Sequence, residues 1–296
     1  MSLPPVEPET RPLSLEHRPL LHPLLKGAGT TLSEYSFANL YLFRKRHGYR
    51  LATGGAVPLI LGITYDGLRY AMPAADLRTL TESAREGIFR EAEAIFPVPE
   101  EWLSAFDPGR YAWTSEEGDA DYIYPTERIC TYSGRKMHGK KNLRNQFVSQ
   151  YRHQGFPLTP DRVADAFRLV EAWQSESGLP PEATDYAACL EALEMAEDLQ
   201  LCGGIYYVGD APAGFLLGEE LGREMFVIHF AKALKQFKGV YQFLFSSFAC
   251  LLPGNYLWLN FEQDLGQEGL RASKQSYVPE FLQKKFRVTR RGGTPA

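Results

Sequence analysis

The chain has 296 residues, is 44% hydrophobic and 13% aromatic, and carries a formal net charge of −4. That length suits one large domain or two ordinary ones with packed cores, and the charge makes no global case for nucleic acid or an anionic membrane. Four scattered cysteines, Cys130, Cys189, Cys202 and Cys250, form no Cys-x-x-Cys pair; this argues against structural zinc and a dense disulfide framework, and a reduced, cytoplasmic setting is the simplest fit.

The proline-rich start, MSLPPVEPETRPLSLEHRP, carries acids where a secretory signal needs a positive charge followed by an apolar stretch. Residues 1–15 read as a flexible arm, and the proline-rich stretch after them as a segment lying along the surface. The longest apolar run, Phe243 to Leu252, is interrupted by Ser246 and Ser247 and is far shorter than the ~20 residues of a membrane span. No integral membrane segment is therefore expected, and a soluble chain is. Ser33 is a candidate N-cap for a helix running to Arg46. Strands follow at Tyr49–Thr53, Val57–Thr64 and Leu68–Met72, the last two joined by the Asp66-Gly67 hairpin signal. A helical stretch begins at Asp76, and Tyr111–Thr114 reads as another strand.

From Arg128 to Arg152 the chain is basic and contains no acid. A helix after Gly134 puts Lys136, Lys140 and Arg144 at i, i+4 and i+8 on one face, beside an apolar stripe of Leu143 and Phe147. Like charges at that spacing cost an isolated helix a few tenths of a kcal/mol each. Such a cluster, with Lys141, Asn142 and Asn145, suits a phosphate-bearing ligand, and a solvated face fits the same residues. His138 has no second ligand at metal spacing and reads as a surface residue. The glycine and prolines of GFPLTPDR mark a boundary. Helices follow to Ser177 and over Tyr186–Leu199, then strands at Leu201–Val208, Ala213–Glu220 and Glu224–Ala231, and a helix over Val240–Leu252. His229, on an otherwise apolar strand, could face a cleft between splayed central strands, but a core histidine with its hydrogen bonds satisfied is the better reading.

The stretch NFEQDLGQEGLRASKQSY, Asn260 to Tyr277, gathers the residues best suited to chemistry. Leu257, Leu259 and Phe261 alternate with Trp258, Asn260 and Glu262, so a strand should send the apolar set to a core and the polar set to the other side of the sheet. Asp264 follows the strand end. On the next short helix Gln267, Arg271 and Lys274 share a face. Glu262 or Asp264 could accept a proton from an attacking group, and Arg271 and Lys274 could hold a carboxylate or phosphate. A salt-bridge knot between the same carboxylates and cations is the structural alternative. Between the carboxylates, the alternation favours Glu262. An extended segment through Val278–Val288 closes the chain.

The element order, two helices, three strands, helix, strand, helix, strand, resembles the acyl-CoA N-acyltransferase fold, and the first half repeats most of it. The segments DYIYPTERICTYSGRKMHGKKNLRNQF and LNFEQDLGQEGLRASKQSYVP resemble a bacterial family similar to the C-terminal, cytosolic domain of phosphatidylglycerol lysyltransferase. The resemblance implies an α+β architecture of two tandem N-acyltransferase-like domains, each a mostly antiparallel sheet flanked by helices. Their expected bounds are 16–155 and 156–291, with a disordered tail at 292–296. It also implies an acyl- or aminoacyltransferase that moves an activated acyl group from an acyl-coenzyme A or an aminoacyl-tRNA onto an amine or hydroxyl of a small or lipid-like acceptor. No tightly bound cofactor is implied; a coenzyme A ester would be a co-substrate. The coenzyme A signature of that fold is reduced here to KQFKGV, so Lys238 and Gly239, at a helix N-terminus, are the candidate contacts for its phosphates. That reduction favours the second reading, a tandem-domain protein that binds an anionic ligand without turnover.

Overall fold

The computed structural model describes residues 9–292; the first eight residues of the expected arm and the last four of the expected tail lie outside the described residues. The chain divides into two compact units, residues 1–120 with 283–296, and residues 121–282. The division falls after Ala120 and not at 155/156, because Asp121–Pro125 pairs with a strand from late in the chain and the closing strand returns to the first unit.

The first unit opens with β1 (Glu9–Pro12), which pairs antiparallel with β2, so this part of the expected arm is a strand. Then come α1 (Arg18–Gly27), α2 (Phe37–His47), β2 (Arg50–Thr53), β3 (Leu59–Ile63), β4 (Arg69–Pro73), α3 (Glu82–Ile88), β5 (Ala94–Val98) and β6 (Tyr111–Thr114). The cap of α2 is Ser36 and not Ser33: the Ser36 hydroxyl accepts the Asn39 amide at 3.1 Å, a contact worth about 1 kcal/mol. Ser33–Tyr35 form a separate 3-10 turn. Asp76 caps only another short 3-10 turn, and α3 starts six residues later behind Thr81.

The second unit contains β7 (Asp121–Pro125), α4 (Thr126–Thr131), α5 (His138–Gln150), β8 (His153–Pro157), α6 (Val163–Ser177) and α7 (Tyr186–Glu194). It continues through β9 (Cys202–Val208), β10 (Ala211–Gly222), β11 (Met225–Ala233), α8 (Val240–Leu251), β12 (Trp258–Asn260), α9 (Glu268–Gln275) and β13 (Phe281–Gln283); β14 (Phe286–Arg290) then joins the first sheet. Strand order in the two seven-stranded sheets is β1-β2-β3-β4-β5-β14-β6 and β8-β9-β10-β11-β12-β7-β13. These are the same arrangement twice. In each sheet four antiparallel strands lead to one parallel pair, β4 with β5 and β11 with β12, and the next strand is antiparallel again. Each sheet takes that next strand from the other half of the sequence.

The core of the second unit lies between its sheet and α8, where Tyr122, Tyr124, Phe226, Leu244, Leu259 and Phe261 pack together. Fully burying a side chain of this size contributes about 1.5–3 kcal/mol. Cys130 on α4 and Cys250 on α8 form a disulfide across 120 residues of sequence. Their spacing hid it, because only the packing of α4 against α8 brings the two sulfurs together, so the chain carries one cross-link that the scattered cysteines did not signal. Among the described residues, no helix is long and apolar enough to cross a membrane.

Candidate functional site

The parallel pairing of β11 with β12 runs from Met225↔Trp258 to Val227↔Asn260 and stops there. Just past this point β11 bulges. Leu217 of β10 faces Phe230 and Gly218 faces Ile228, so His229 is the additional residue. Gly218 permits this close packing, since a Cβ there would stand 2.0 Å from the Val227 carbonyl oxygen. The bulge aims His229 at two carboxylates. Nδ1 lies 2.8 Å from Glu262 Oε1 and Nε2 lies 3.1 Å from Glu219 Oε1. The His229 side chain is fully buried, that of Glu219 is 6% exposed and that of Glu262 is 15% exposed. Burial opposes a charge on the ring, but Glu262 and Glu219 outweigh it and raise the His229 pKa to about 10. At neutral pH the ring is therefore an imidazolium donating to both carboxylates. Glu262 is the most open of the three groups.

The expected alternation places these groups. Leu259 and Phe261 enter the α8-side core, while Trp258 packs with Ile123 and Val227 on the opposite face. Leu257 departs from the pattern, being half exposed just before β12 begins. Asn260 is fully buried; its Nδ2 donates to Asp121 Oδ2 at 3.0 Å and its Oδ1 accepts the Glu262 amide at 2.7 Å. Asn260 thus shapes the turn that carries Glu262.

Asp264 sits apart from that group. It is fully buried and accepts from the Tyr122 hydroxyl at 2.7 Å, Arg271 Nε at 2.8 Å and the Gly266 amide at 2.8 Å. These donors hold its pKa below the usual carboxylate value against the cost of burial. The Asp264–Arg271 pair is the structural alternative raised by the sequence. Lys274 differs from both expectations: its ammonium donates to the carbonyls of Phe261, Glu262 and Gln263 at 2.5, 3.0 and 2.5 Å.

The basic residues lie on α5 and the turn before it. Lys136 and Lys141 are exposed, as is His138. Lys140 is partly buried with its ammonium 3.8 Å from the centre of the Tyr277 ring, and burial lowers its pKa. Tyr277 accepts a hydrogen bond from Gln242 Nε2 at 3.0 Å, and burial pushes its hydroxyl pKa up. Arg144 holds α4 to α8 through the Cys130 carbonyl and the Ser246 hydroxyl. Lys238 is exposed before α8. Gly239 is needed for packing: a Cβ there would stand 2.2 Å from the Leu143 carbonyl of α5.

Sequence reasoning missed Glu219 altogether and took His229 for a core residue. The signal available was a polar pair, Glu219 and Glu220, following an apolar strand with Gly218 beside it, but a bulge changes the facing of residues in a way that alternation does not predict.

The sequence profile of the phosphatidylglycerol lysyltransferase C-terminal family matches residues 27–289. An uncharacterised protein of Mycoplasmoides gallisepticum is 26% identical over 178 residues, covering 58% of this chain and 56% of that relative, so the match spans just over half the relative's length. A conserved protein of unknown function from Bacteroides thetaiotaomicron has a solved structure with a TM-score of 0.82 at 26% identity, covering 96% of this chain and all of that one. Two more distant structures share the fold. One is the C-terminal domain of a putative lysylphosphatidylglycerol synthetase from Agrobacterium fabrum, with a TM-score of 0.60, 13% identity and coverage of 91% and 92%. The other is a GNAT-family acetyltransferase from Colwellia psychrerythraea, with a TM-score of 0.50, 9% identity and coverage of 96% and 99%. The repeated sheet is thus two N-acyltransferase-like domains in tandem, and with a family profile covering nearly all of it, the chain belongs to the family of the phosphatidylglycerol lysyltransferase C-terminal domain.

Proposed function

We propose that this member of an aminoacyl- and acyltransferase family moves an activated acyl group onto an amine or hydroxyl by direct attack, with Glu262 as general base. The observation that carries this reading is the Glu219–His229–Glu262 chain where β11 and β12 part. The acceptor nitrogen or oxygen forms the new bond to the acyl carbon, its proton passes to Glu262, and the bond to the donor's leaving oxygen or sulfur breaks. His229, already protonated, has no lone pair for the proton and serves to orient Glu262. The family's name describes lysyl transfer to phosphatidylglycerol, which favours an aminoacyl donor such as an aminoacyl-tRNA and a lipid-like acceptor bearing a hydroxyl. The acid-free face of Lys136, Lys140 and Lys141 would hold a phosphate of either substrate, in a cytoplasmic setting.

The test supplies aminoacyl-tRNAs and acyl-coenzyme A esters in turn, with amine and hydroxyl acceptors, and follows acyl transfer. Turnover with an aminoacyl-tRNA that falls about 10²–10⁴-fold in Glu262→Gln is expected. Full activity in E262Q would remove the base assignment. Binding of a donor with no turnover in the wild type would favour the non-catalytic reading.

A further inference from the structure

Glu262 is in an unusual backbone state. Its φ is +58°, in the left-handed region that a non-glycine residue occupies at a cost of about 1–3 kcal/mol unless its surroundings over-determine it. The surroundings do so here. The Glu262 amide is held by the Asn260 side chain, and its carbonyl accepts from the Tyr122 amide at 3.2 Å. Lys274, reaching back from α9, gathers the carbonyls of Phe261, Glu262 and Gln263 on one ammonium. Three consecutive carbonyls turned towards one point cannot belong to an extended strand, where they alternate in direction. The ammonium thus rewards the turned backbone and disfavours the straight one, in which Glu262 would continue β12 and lose its aim at His229.

We propose that Lys274 is a positioning residue for the Glu262 carboxylate: it binds no substrate, and by fixing the 261–263 turn it sets the 2.8 Å contact between Glu262 and His229. The role rests on the proposed function only for its catalytic consequence. The geometric part stands without it. Lys274 acts at a distance from its own side chain, through backbone alone, so its effect must vanish once Glu262 is no longer a carboxylate.

The experiment is a double-mutant cycle read on His229 by NMR of the ring nitrogens in the full chain, across pH 5 to about 11. Four proteins are compared: wild type, Lys274→Met, Glu262→Gln and the double variant. In the wild type the ring is expected to stay protonated to near pH 10. K274M is expected to lower the midpoint by about one pH unit or more, the effect of losing a close carboxylate. E262Q lowers it too, and the double variant is expected to match E262Q with no further fall. Lys274→Gln, whose amide can still serve some of the carbonyls and so spares the fold, is run alongside and is expected to fall between wild type and K274M. An unchanged His229 midpoint in both Lys274 variants overturns the proposal, and so do effects that add in the double variant. Where transfer is measured, K274M should lower kcat by about a hundredfold with KM nearly unchanged, the pattern of a misplaced group; a rise in KM alone would mark Lys274 as a substrate contact and also overturn it. If E262Q proves fully active, the proposed function fails while the NMR cycle still decides the positioning role.

Discussion

The two sheets share one strand order and differ at the point where their parallel strands part. Counted from the last parallel pair, Ala71↔Ile95 in the first sheet and Val227↔Asn260 in the second, the residues two steps on are Pro73 and Pro97 in one, His229 and Glu262 in the other. The partners on the neighbouring strand are Leu61 opposite Ala71 and Glu219 opposite Val227. Where the second unit has carboxylate, imidazolium and carboxylate, the first has leucine and two buried prolines. A shared fold thus carries buried charge at one copy of a position and apolar packing at the other, which is why fold alone cannot assign function. The first unit does have buried charge, but elsewhere: Lys285, fully buried, lies 2.8 Å from Glu34 and 3.1 Å from the Ser33 hydroxyl.

The sharpest way to break this contrast is to remove the charge on each side. E262Q in the second unit should lower transfer about 10²–10⁴-fold, and because it leaves the buried imidazolium with one carboxylate it should also lower stability at neutral pH. Lys285→Met in the first should leave turnover per folded molecule unchanged while costing about 3–5 kcal/mol, because the Glu34 carboxylate stays buried without its ammonium; denaturant unfolding measures it. A K285M protein that folds normally but has lost turnover would put chemistry in the first unit and end the contrast. A smaller effect of the same kind comes from the disulfide. Reduction of Cys130–Cys250, which closes a 120-residue separation within the second unit, should lower that unit's stability by about 2–4 kcal/mol. The melting of the first unit should not move, as followed by calorimetry with and without a thiol reductant.

Much of the fold was legible because the apolar periodicities are strong. The strands at 201–231, the helix from Val240 and the alternation through Leu259, Asn260 and Phe261 all follow from local pattern; Glu262, which the alternation favoured over Asp264, is instead carried by a turn that ends the strand at Asn260. What escaped was non-local. The strand exchange that moves the unit boundary to residue 120 depends on pairings of Tyr124 with Leu259 and of Val288 with Trp113, which no short window contains. The strand at Ala94–Val98 was not assigned, because a five-residue apolar run has too little period to declare itself. Lys274 was read as a ligand-binding cation because sequence spacing locates a side chain on a helix face and says nothing of backbone carbonyls turned towards it. His229 was read as inert because its partners come from two other segments, and only the bulge faces it towards both.

Asp264, in the turn after β12, offers a finer cut within the second unit. Asp264→Asn keeps the shape but weakens the bonds from Arg271 and Tyr122, so it should cost about 1–3 kcal/mol of stability and reduce turnover far less than E262Q does. Equal losses in the two variants would mean that the Asp264–Arg271 pair is as close to the chemistry as Glu262 is.

The effect most specific to the contrast is in the pH dependence of stability. His229 has its pKa raised in the folded chain from an ordinary 6.5 to about 10. Its stabilising contribution is therefore complete below about pH 6.5 and is lost as pH rises through about 10, with a slope of at most about 1.4 kcal/mol per pH unit. Asp264, with its pKa lowered, works in the other direction, contributing above its ordinary 3.8 and losing that contribution as pH falls through the lower folded value. The second unit should accordingly weaken between about pH 7 and 10, and His229→Gln should remove that part of the slope. Leu61, Pro73 and Pro97 carry no proton to exchange, so the matching position of the first unit adds nothing to the slope. A His229→Gln protein whose alkaline slope equals the wild type's would show that the imidazolium between Glu219 and Glu262 is not the group being titrated, and with it the chemical difference between the two sheets would lose its electrostatic basis.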